Sequence, residues 1–447
     1  MENARARKKI TLECRMIIKR QQYLDRLINR RCNGLVKVVT GLRRCGKSFL
    51  LFTLYHEYLN GIGVPDDHIV EVALDDVENF RYHNPRRLLK YLKSRIEDKD
   101  QYYIFIDEIQ FVKKIKIRDS EIGNSAPITF YSVVNALLKL PNVDVYVTGS
   151  NSTMLSQDVM TEFRGRGDEV RIRPLSFSEF MSVYEGDARD GWDEYLEYGG
   201  MPLAVLAKGH EAKSSYLKNL FEETYLKDVV ERYKIRKPGV LNDVVDVLAS
   251  GVGSLTNSQK LANTFETVMK APILAKTVNG YIGKLKNSFL LEEVRRYDVK
   301  GRKYIGALCK YYFADTGLRN ARIGFRQTEE THLMENAICT ELLALGYEVD
   351  VGIVEIFETS TNGSGVRKQI EIDFVANKAD RRYYIQSALT IEDPLKRAQE
   401  IRPFGKVGDS FKKIILVGGR HEPRRDENGY LVAGVIDFML SPENVLN

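Results

Sequence analysis

The chain has 447 residues, 43% of them hydrophobic and 29% charged, and a formal net charge of +6. That length exceeds one ordinary domain and allows two or three buried cores, while no apolar run reaches the ~18 residues that would suggest a membrane span. The charge permits a nucleic-acid partner without requiring one.

Cys14, Cys32, Cys45, Cys309 and Cys339 form no C-x-x-C pair and the six histidines are scattered, so neither a disulfide framework nor a zinc site is expected. The N-terminal MENARARKKITLECRMIIKR lacks the uninterrupted apolar core of a signal peptide, which makes the cytoplasm the expected location.

From 35 to about 173, apolar strands (LVKVVT, IVEVALDD, YYIFIDE, VDVYVTGS) alternate with helical stretches at 47–59, 85–97 and 130–140. This is the α/β pattern of a parallel sheet with crossover helices on both faces. Residues 112–128 lack periodicity and read as a loop insertion. After LSFSEF the chain turns helical, breaks at YGGMP (198–202), and continues as one longer helix over 213–233, a lid or connector. From 238 three helices precede a hairpin whose strands LLEEVRRY and KYIGALCKYYF flank DVKGR, with the turn at Lys300 and Gly301; helices followed by a basic hairpin suggest a winged helix. The last unit, from about 328, has a helix, three strands, a helix, then KKIILVGG and GVIDFML, a small α/β arrangement. The expected units are 1–185, 186–237, 238–327 and 328–447.

Chemistry concentrates in the first unit. Residues 41–48, GLRRCGKS, satisfy G-x-x-x-x-G-K-[ST] after an apolar strand and before a helix. Gly41 and Gly46 allow backbone N–H groups to point inward, Lys47 reaches β/γ-phosphates, and Ser48 holds Mg2+. Arg43, Arg44, Cys45 and Phe49 lie in or beside the loop and are counted with the nucleotide-binding residues. Arg43 and Arg44 either touch phosphate, pair with acids such as Asp75 or Asp76, or face another domain, and Cys45 beside a helix N-terminus is a candidate reactive thiol. Asp107 and Glu108 end a buried strand, where ligands of open α/β sheets gather; Asp107 suits the metal and Glu108 the activation of water. In VTGSNS, Ser150 and Asn151 are placed to sense the γ-phosphate or to align the attacking water. Arg164 and Arg166, in FRGRG, offer a guanidinium to the transferred phosphoryl group, within one chain or across the subunit boundary of a homo-oligomer.

GLRRCGKS, FIDEIQ, VTGSNSTML, the GR of FRGRG, PLSFSEF and YGGMP, in this order, resemble a group of prokaryotic AAA-type ATP-binding proteins. The resemblance covers almost the whole chain. It implies a P-loop ATPase core that binds ATP, a winged-helix-like segment, and a C-terminal domain similar to restriction endonucleases. It also implies nucleotide binding by Gly41, Gly46, Lys47 and Ser48, metal and water roles for Asp107 and Glu108, and places Arg166 at the family's GR arginine.

Downstream, Asn279, Lys284 and Lys286 on the third helix and Arg295, Arg296, Lys300, Arg302 and Lys303 on the hairpin form a face suited to double-stranded DNA. Glu335, Asp373 and Gln386 follow the nuclease order, but Ser387 and Ala388 replace the expected lysine, so cleavage is not expected unless Lys368 or Lys378 takes its place. The expected function is an Mg2+-dependent ATPase coupled to DNA-contacting units; the alternatives are a non-hydrolysing ATP-binding regulator and an ATP-gated nuclease.

Overall fold

The computed structural model describes residues 17–447 apart from 117–126, 150–164, 271, 327–328 and 360–364. Strands β1 (Val36–Gly41), β2 (Ile69–Ala73), β3 (Tyr102–Asp107), β4 (Val143–Gly149) and β5 (Gly167–Ile172) form one sheet in the order β2-β3-β4-β1-β5, every neighbouring pair parallel. Both faces are covered. Val38, Ile104 and Val147 enter one apolar core, and the alternate residues Val39, Phe105 and Tyr146 enter a second. This two-sided burial explains why the strands read as continuous apolar runs rather than alternating ones. Because β4 lies between β1 and β3, the carboxyl ends of these three strands share one edge, where such sheets bind ligands.

The loop after β1 leads into a continuous helix over 47–61 whose middle, Leu50–Tyr55, is π-helical. The insertion after β3 is closed at its base by main-chain hydrogen bonds between Ile115 and Ile128, at 3.0 and 2.9 Å. YGGMP proves to be a junction. Gly199 has φ +70°, and a Cβ there would lie 2.2 Å from Asp315 Oδ1; a Cβ on Gly200 would lie 2.1 Å from the Leu175 carbonyl oxygen. Only glycine permits this approach, which lets Gly200 N donate to Asp315 Oδ2 at 2.7 Å. The long connector helix runs over 210–232, with a π-helical stretch at Leu220–Leu226.

Helices Pro238–Ser250, Ser258–Thr267 and Ala275–Asn287 precede the hairpin of β6 (Leu291–Asp298) and β7 (Lys303–Phe313). Asp298 Oδ1 accepts from Lys300 N and Gly301 N, which sets the turn. The hairpin does not stand free. β6 pairs in parallel with β8 (Glu348–Thr359), Arg296 opposite Val351, so the ladder crosses the boundary at 327/328 expected from sequence. With β9 (Gly365–Lys378), β10 (Arg381–Ala388), β11 (Lys412–Val417), β12 (Arg424–Arg425) and β13 (Leu431–Gly434) it builds one mixed sheet, ordered β12-β13-β11-β10-β9-β8-β6-β7. GVIDFML is the end of β13 and the helix Val435–Leu440. The helix Glu330–Ala344 packs on this sheet, and Asn336 ties it to β7 by two 2.8 Å hydrogen bonds with the main chain of Phe313.

The two sheets meet at charged side chains. Arg171 of β5 and Arg173 just beyond it both donate to Glu292 of β6. Arg20 reaches from the N-terminal side to the carbonyls of Cys45 and Arg173, at 3.0 and 2.7 Å, and to Glu179 at 2.9 Å. The phosphate loop is thereby tied to the end of β5. No helix among the described residues is long and apolar enough to cross a membrane.

Candidate nucleotide-binding site

The loop takes the geometry its glycines allow. Gly41 sits at φ +139°, where a Cβ would be 2.2 Å from the Ile172 carbonyl oxygen, and Gly46 sits at φ +100°. Any side chain at Gly41 would push β1 from β5, so this glycine is fixed by packing as well as conformation. Lys47 is buried, and its Nζ donates to the loop's own carbonyls at Gly41 and Leu42, 3.1 and 2.7 Å away.

Ser48 Oγ donates to Asp107 Oδ2 at 2.6 Å, so the two residues expected to serve the metal converge from β3 and from the helix after β1. Burial raises the Asp107 pKa, and the hydrogen bonds from Ser48 and Thr148 work the other way. Hydroxyl and carboxylate oxygens at hydrogen-bond distance are the donor set a hard cation such as Mg2+ takes. Glu108, at φ +53°, stands next to them; Gln110 Nε2 donates to its Oε2.

Thr148 is the residue sequence reasoning missed. At the end of β4, it donates from Oγ1 to Asp107 Oδ1 and accepts from Glu108 N at 3.0 Å, touching both acids. Ser150, Asn151 and Arg164 lie outside the described residues. The available signal for Thr148 was VTG itself, the polar end of an apolar strand.

Three loop residues acquire definite places. Cys45 is fully buried in the core rather than exposed as a reactive thiol, and Phe49 is partly exposed. Arg43 pairs with Asp228 of the connector helix at 3.3 Å, and its carbonyl accepts from Tyr225 OH at 2.9 Å. Of the open alternatives, it faces the connector rather than Asp75 or Asp76. Arg44 is exposed with φ +61°.

Arg166 is separated from its own phosphate loop. Its carbonyl accepts from Val36 N, and Val36 opens β1 while Gly41 closes it. Five residues of parallel strand place it about 17 Å from the loop. Of the two alternatives, within one chain or across a subunit boundary, this separation does not fit the first, because β5 begins at the opposite end of the sheet from the loop.

A second polar cluster lies in the C-terminal sheet. Lys310 of β7, only 4% exposed, stands 2.7 Å from Glu371, 3.2 Å from Glu335 and 3.8 Å from Asp373. Burial works against the ammonium, but the carboxylates of Glu335, Asp373 and Glu371 raise its pKa. Asp373 is held well above the usual range by burial and by Glu335, with Lys310 opposing. Gln386 bonds Glu400 at 2.8 Å. The lysine here is neither of the two expected: Lys368 pairs with Glu358, and Lys378 donates to the Leu345 carbonyl.

The basic face is more committed than its sequence implies. Lys284 stacks on Tyr281 and Tyr233, Lys286 pairs with Glu293, Arg295 lies over Tyr304, and Arg296 bonds Gln369. Asn279, Arg302 and Lys303 remain exposed.

Sheet order, glycine-fixed phosphate loop and paired strand-end acids define a P-loop protein of the AAA type. A family model described as an AAA domain matches residues 33–181, and one described as Domain of unknown function (DUF8612) matches 189–329. An uncharacterised protein of Haemophilus influenzae is 31% identical over 430 residues, which is 95% of this chain and 99% of that one. The chain belongs to the family of that protein, and its own residues 33–181 are the part that matches the AAA domain. A Methanocaldococcus jannaschii protein, also uncharacterised, is 22% identical over 356 residues, 76% of this chain and 71% of its own. Among solved structures, a Walker-type ATPase of Pyrococcus abyssi is similar at TM-score 0.47 and 16% identity, over 69% of this chain and 96% of that one.

Proposed function

We propose that the protein binds and hydrolyses ATP with Mg2+ and passes the difference between nucleotide states to its C-terminal sheet. The observation that carries this reading is the convergence on one sheet edge of Lys47, the Ser48–Asp107 hydrogen bond, and Glu108 held by Thr148. Ser48 and Asp107 would hold Mg2+, which when bound neutralises charge on the phosphates. Loop N–H groups and Lys47 bind the phosphate oxygens, Lys47 exchanging its two carbonyl partners for them. Glu108 orients the attacking water and takes its proton; Gln110 and Thr148 fix where its carboxylate and backbone stand.

Transmission runs through Arg43. Movement of the loop is felt at Asp228 and Tyr225, and the same helix meets Arg322 through Glu222 and Phe313 through Phe221. In a homo-oligomer, Arg166 would serve the neighbouring chain's nucleotide, since its own is out of reach. Double-stranded DNA is the proposed downstream partner, met by Asn279, Arg302 and Lys303. The Lys310 cluster favours gripping over cleavage, because its one lysine is already engaged by carboxylates of the chain itself.

Steady-state ATP hydrolysis with Lys47→Ala and Glu108→Gln as controls tests the proposal. Wild type exceeding both by two orders of magnitude or more is expected. Wild type no faster than either would leave the non-hydrolysing regulator as the reading.

A further inference from the structure

A cleft of about 430 Å3 lies along the outer edge of β5, where the two sheets meet. Arg26 and Arg30 from the helix Gln21–Ile28 and just beyond it, Arg171 and Arg173 from β5 and its exit, and Lys378 from the end of β9 all line it; Glu169 is the one acidic residue among its walls. The volume falls within the range of small-molecule sites.

The cations are not balanced by the chain. Arg30 has a carboxylate of its own, Asp168 at 2.7 Å. Arg171 and Arg173 share the single carboxylate of Glu292, although Arg173 is almost fully buried. Arg26 donates to the Ala344 carbonyl and Lys378 to the Leu345 carbonyl, with no carboxylate partner among the described residues. Those two contacts cap the C-terminus of the helix Glu330–Ala344, an ordinary use of basic side chains. Capping uses one hydrogen-bond donor of each, while a guanidinium has five and an ammonium three. Five cations therefore converge with four nearby acids, Asp168, Glu169, Glu292 and, acting on Arg173, Glu341, a smaller but remaining excess of positive charge in a partly desolvated place. Such an excess is costly unless an anion meets it. Burial lowers the Arg26 pKa, with Tyr23 opposing and Arg30 and Arg173 adding to the fall; burial lowers that of Arg171 with Glu292 opposing; and burial works against the Arg173 guanidinium, but Glu292 raises its pKa.

We propose that this cleft is a second anion site, separate from the phosphate loop, that takes a phosphate-bearing ligand between the AAA sheet and the C-terminal sheet. Planar guanidinium forks suit phosphate oxygens, which accept two parallel hydrogen bonds from each. The ligand would bear on the strand end that Arg20 ties to the Cys45 carbonyl, and so on the loop itself. The same chemistry is offered by a free oligophosphate and by the backbone of a nucleic-acid strand.

The test is calorimetric titration of inorganic tripolyphosphate into the full chain carrying Lys47→Ala, which silences the phosphate loop and keeps the result independent of ATP hydrolysis. Saturable binding is expected, weakened roughly 10-fold or more by adding Arg26→Ala and Lys378→Ala, as loss of charge-assisted hydrogen bonds requires. Lys378→Glu alone, at an exposed position, gives the same reading should the double substitution impair folding. A 20-base-pair duplex as competitor separates the sources: displacement assigns the site to nucleic-acid backbone, and no displacement assigns it to free oligophosphates. No binding in the Lys47→Ala chain, or binding indifferent to Arg26 and Lys378, would overturn the proposal.

Discussion

The phosphate-loop site and the Lys310 cluster are built from the same materials, aspartate, glutamate and lysine at the ends or faces of sheets, yet they are opposite in design. In the first, Lys47 is held by two carbonyls and Asp107 by two hydroxyls, so lysine and acid are both free to exchange partners when charged ligands arrive. In the second, Lys310 is already spent on Glu335, Glu371 and Asp373. A buried acid whose counter-charge is internal is a structural element; one held by neutral groups is available for chemistry.

The largest expected effect comes from breaking the internal pairing. Lys310→Ala leaves buried carboxylates without their cation and should destabilise the protein by about 3–5 kcal/mol in chemical denaturation. The deficit should shrink as pH falls and the carboxylates take up protons; a variant as stable as wild type at pH 8 would contradict the contrast.

Thr148→Val sharpens the other side. It removes a donor to Asp107 and leaves Glu108 N–H without its acceptor, a loss of about 1–3 kcal/mol. That energy should be seen as a fall in the rate of hydrolysis of tenfold or more with ATP binding retained. Equal rates would remove Thr148 from the site.

Glu341, six residues after Glu335 on the same helix, is a buried acid that makes no ion pair among the described residues. Burial and Glu179 push its pKa up to about 8 from 4.5. The folded state therefore binds more protons than the unfolded state between those values, and stability falls as pH rises through that window, by up to ~1.4 kcal/mol per pH unit from this one group. Glu341→Gln should flatten that slope in denaturation series at pH 5 to 9. An unchanged slope would show that the carboxylate is solvated.

The smallest effect is expected at Arg43 and Asp228, which are partly exposed. A double-mutant cycle with Arg43→Ala and Asp228→Asn should give a coupling of roughly 0.2–1 kcal/mol in stability. A larger change in the apparent affinity for ATP than in stability would mark the pair as a nucleotide reporter, and additive effects on both would remove it from the coupling path.

Legibility divides along the same line. The phosphate loop, Asp107 and Glu108 were readable because their chemistry is local: glycine positions, one lysine, acids at a strand end. Thr148 depended on β4 lying beside β3, a matter of sheet order that spacing does not encode. Lys310 was hidden because it comes from β7, assigned from sequence to a different unit than Glu335 and Asp373. That assignment failed to foresee the ladder from β6 to β8, since a short parallel pairing between Arg296 and Val351 leaves no signal in either strand. Arg43 and Arg44 were visible as unusual loop residues, but only the position of the connector helix gives Arg43 its partner.

In the proposed function Glu108 acts on bound ATP while the loop and metal residues bind it. Nucleotide retention by Glu108→Gln tests this most directly: the purified variant is mixed with ATP and Mg2+, and the bound nucleotide is identified after rapid separation. ATP is expected to be retained intact by Glu108→Gln under conditions where wild type holds ADP. Conversion to ADP at the wild-type rate, or loss of ATP binding in the variant with its fold intact, would contradict it.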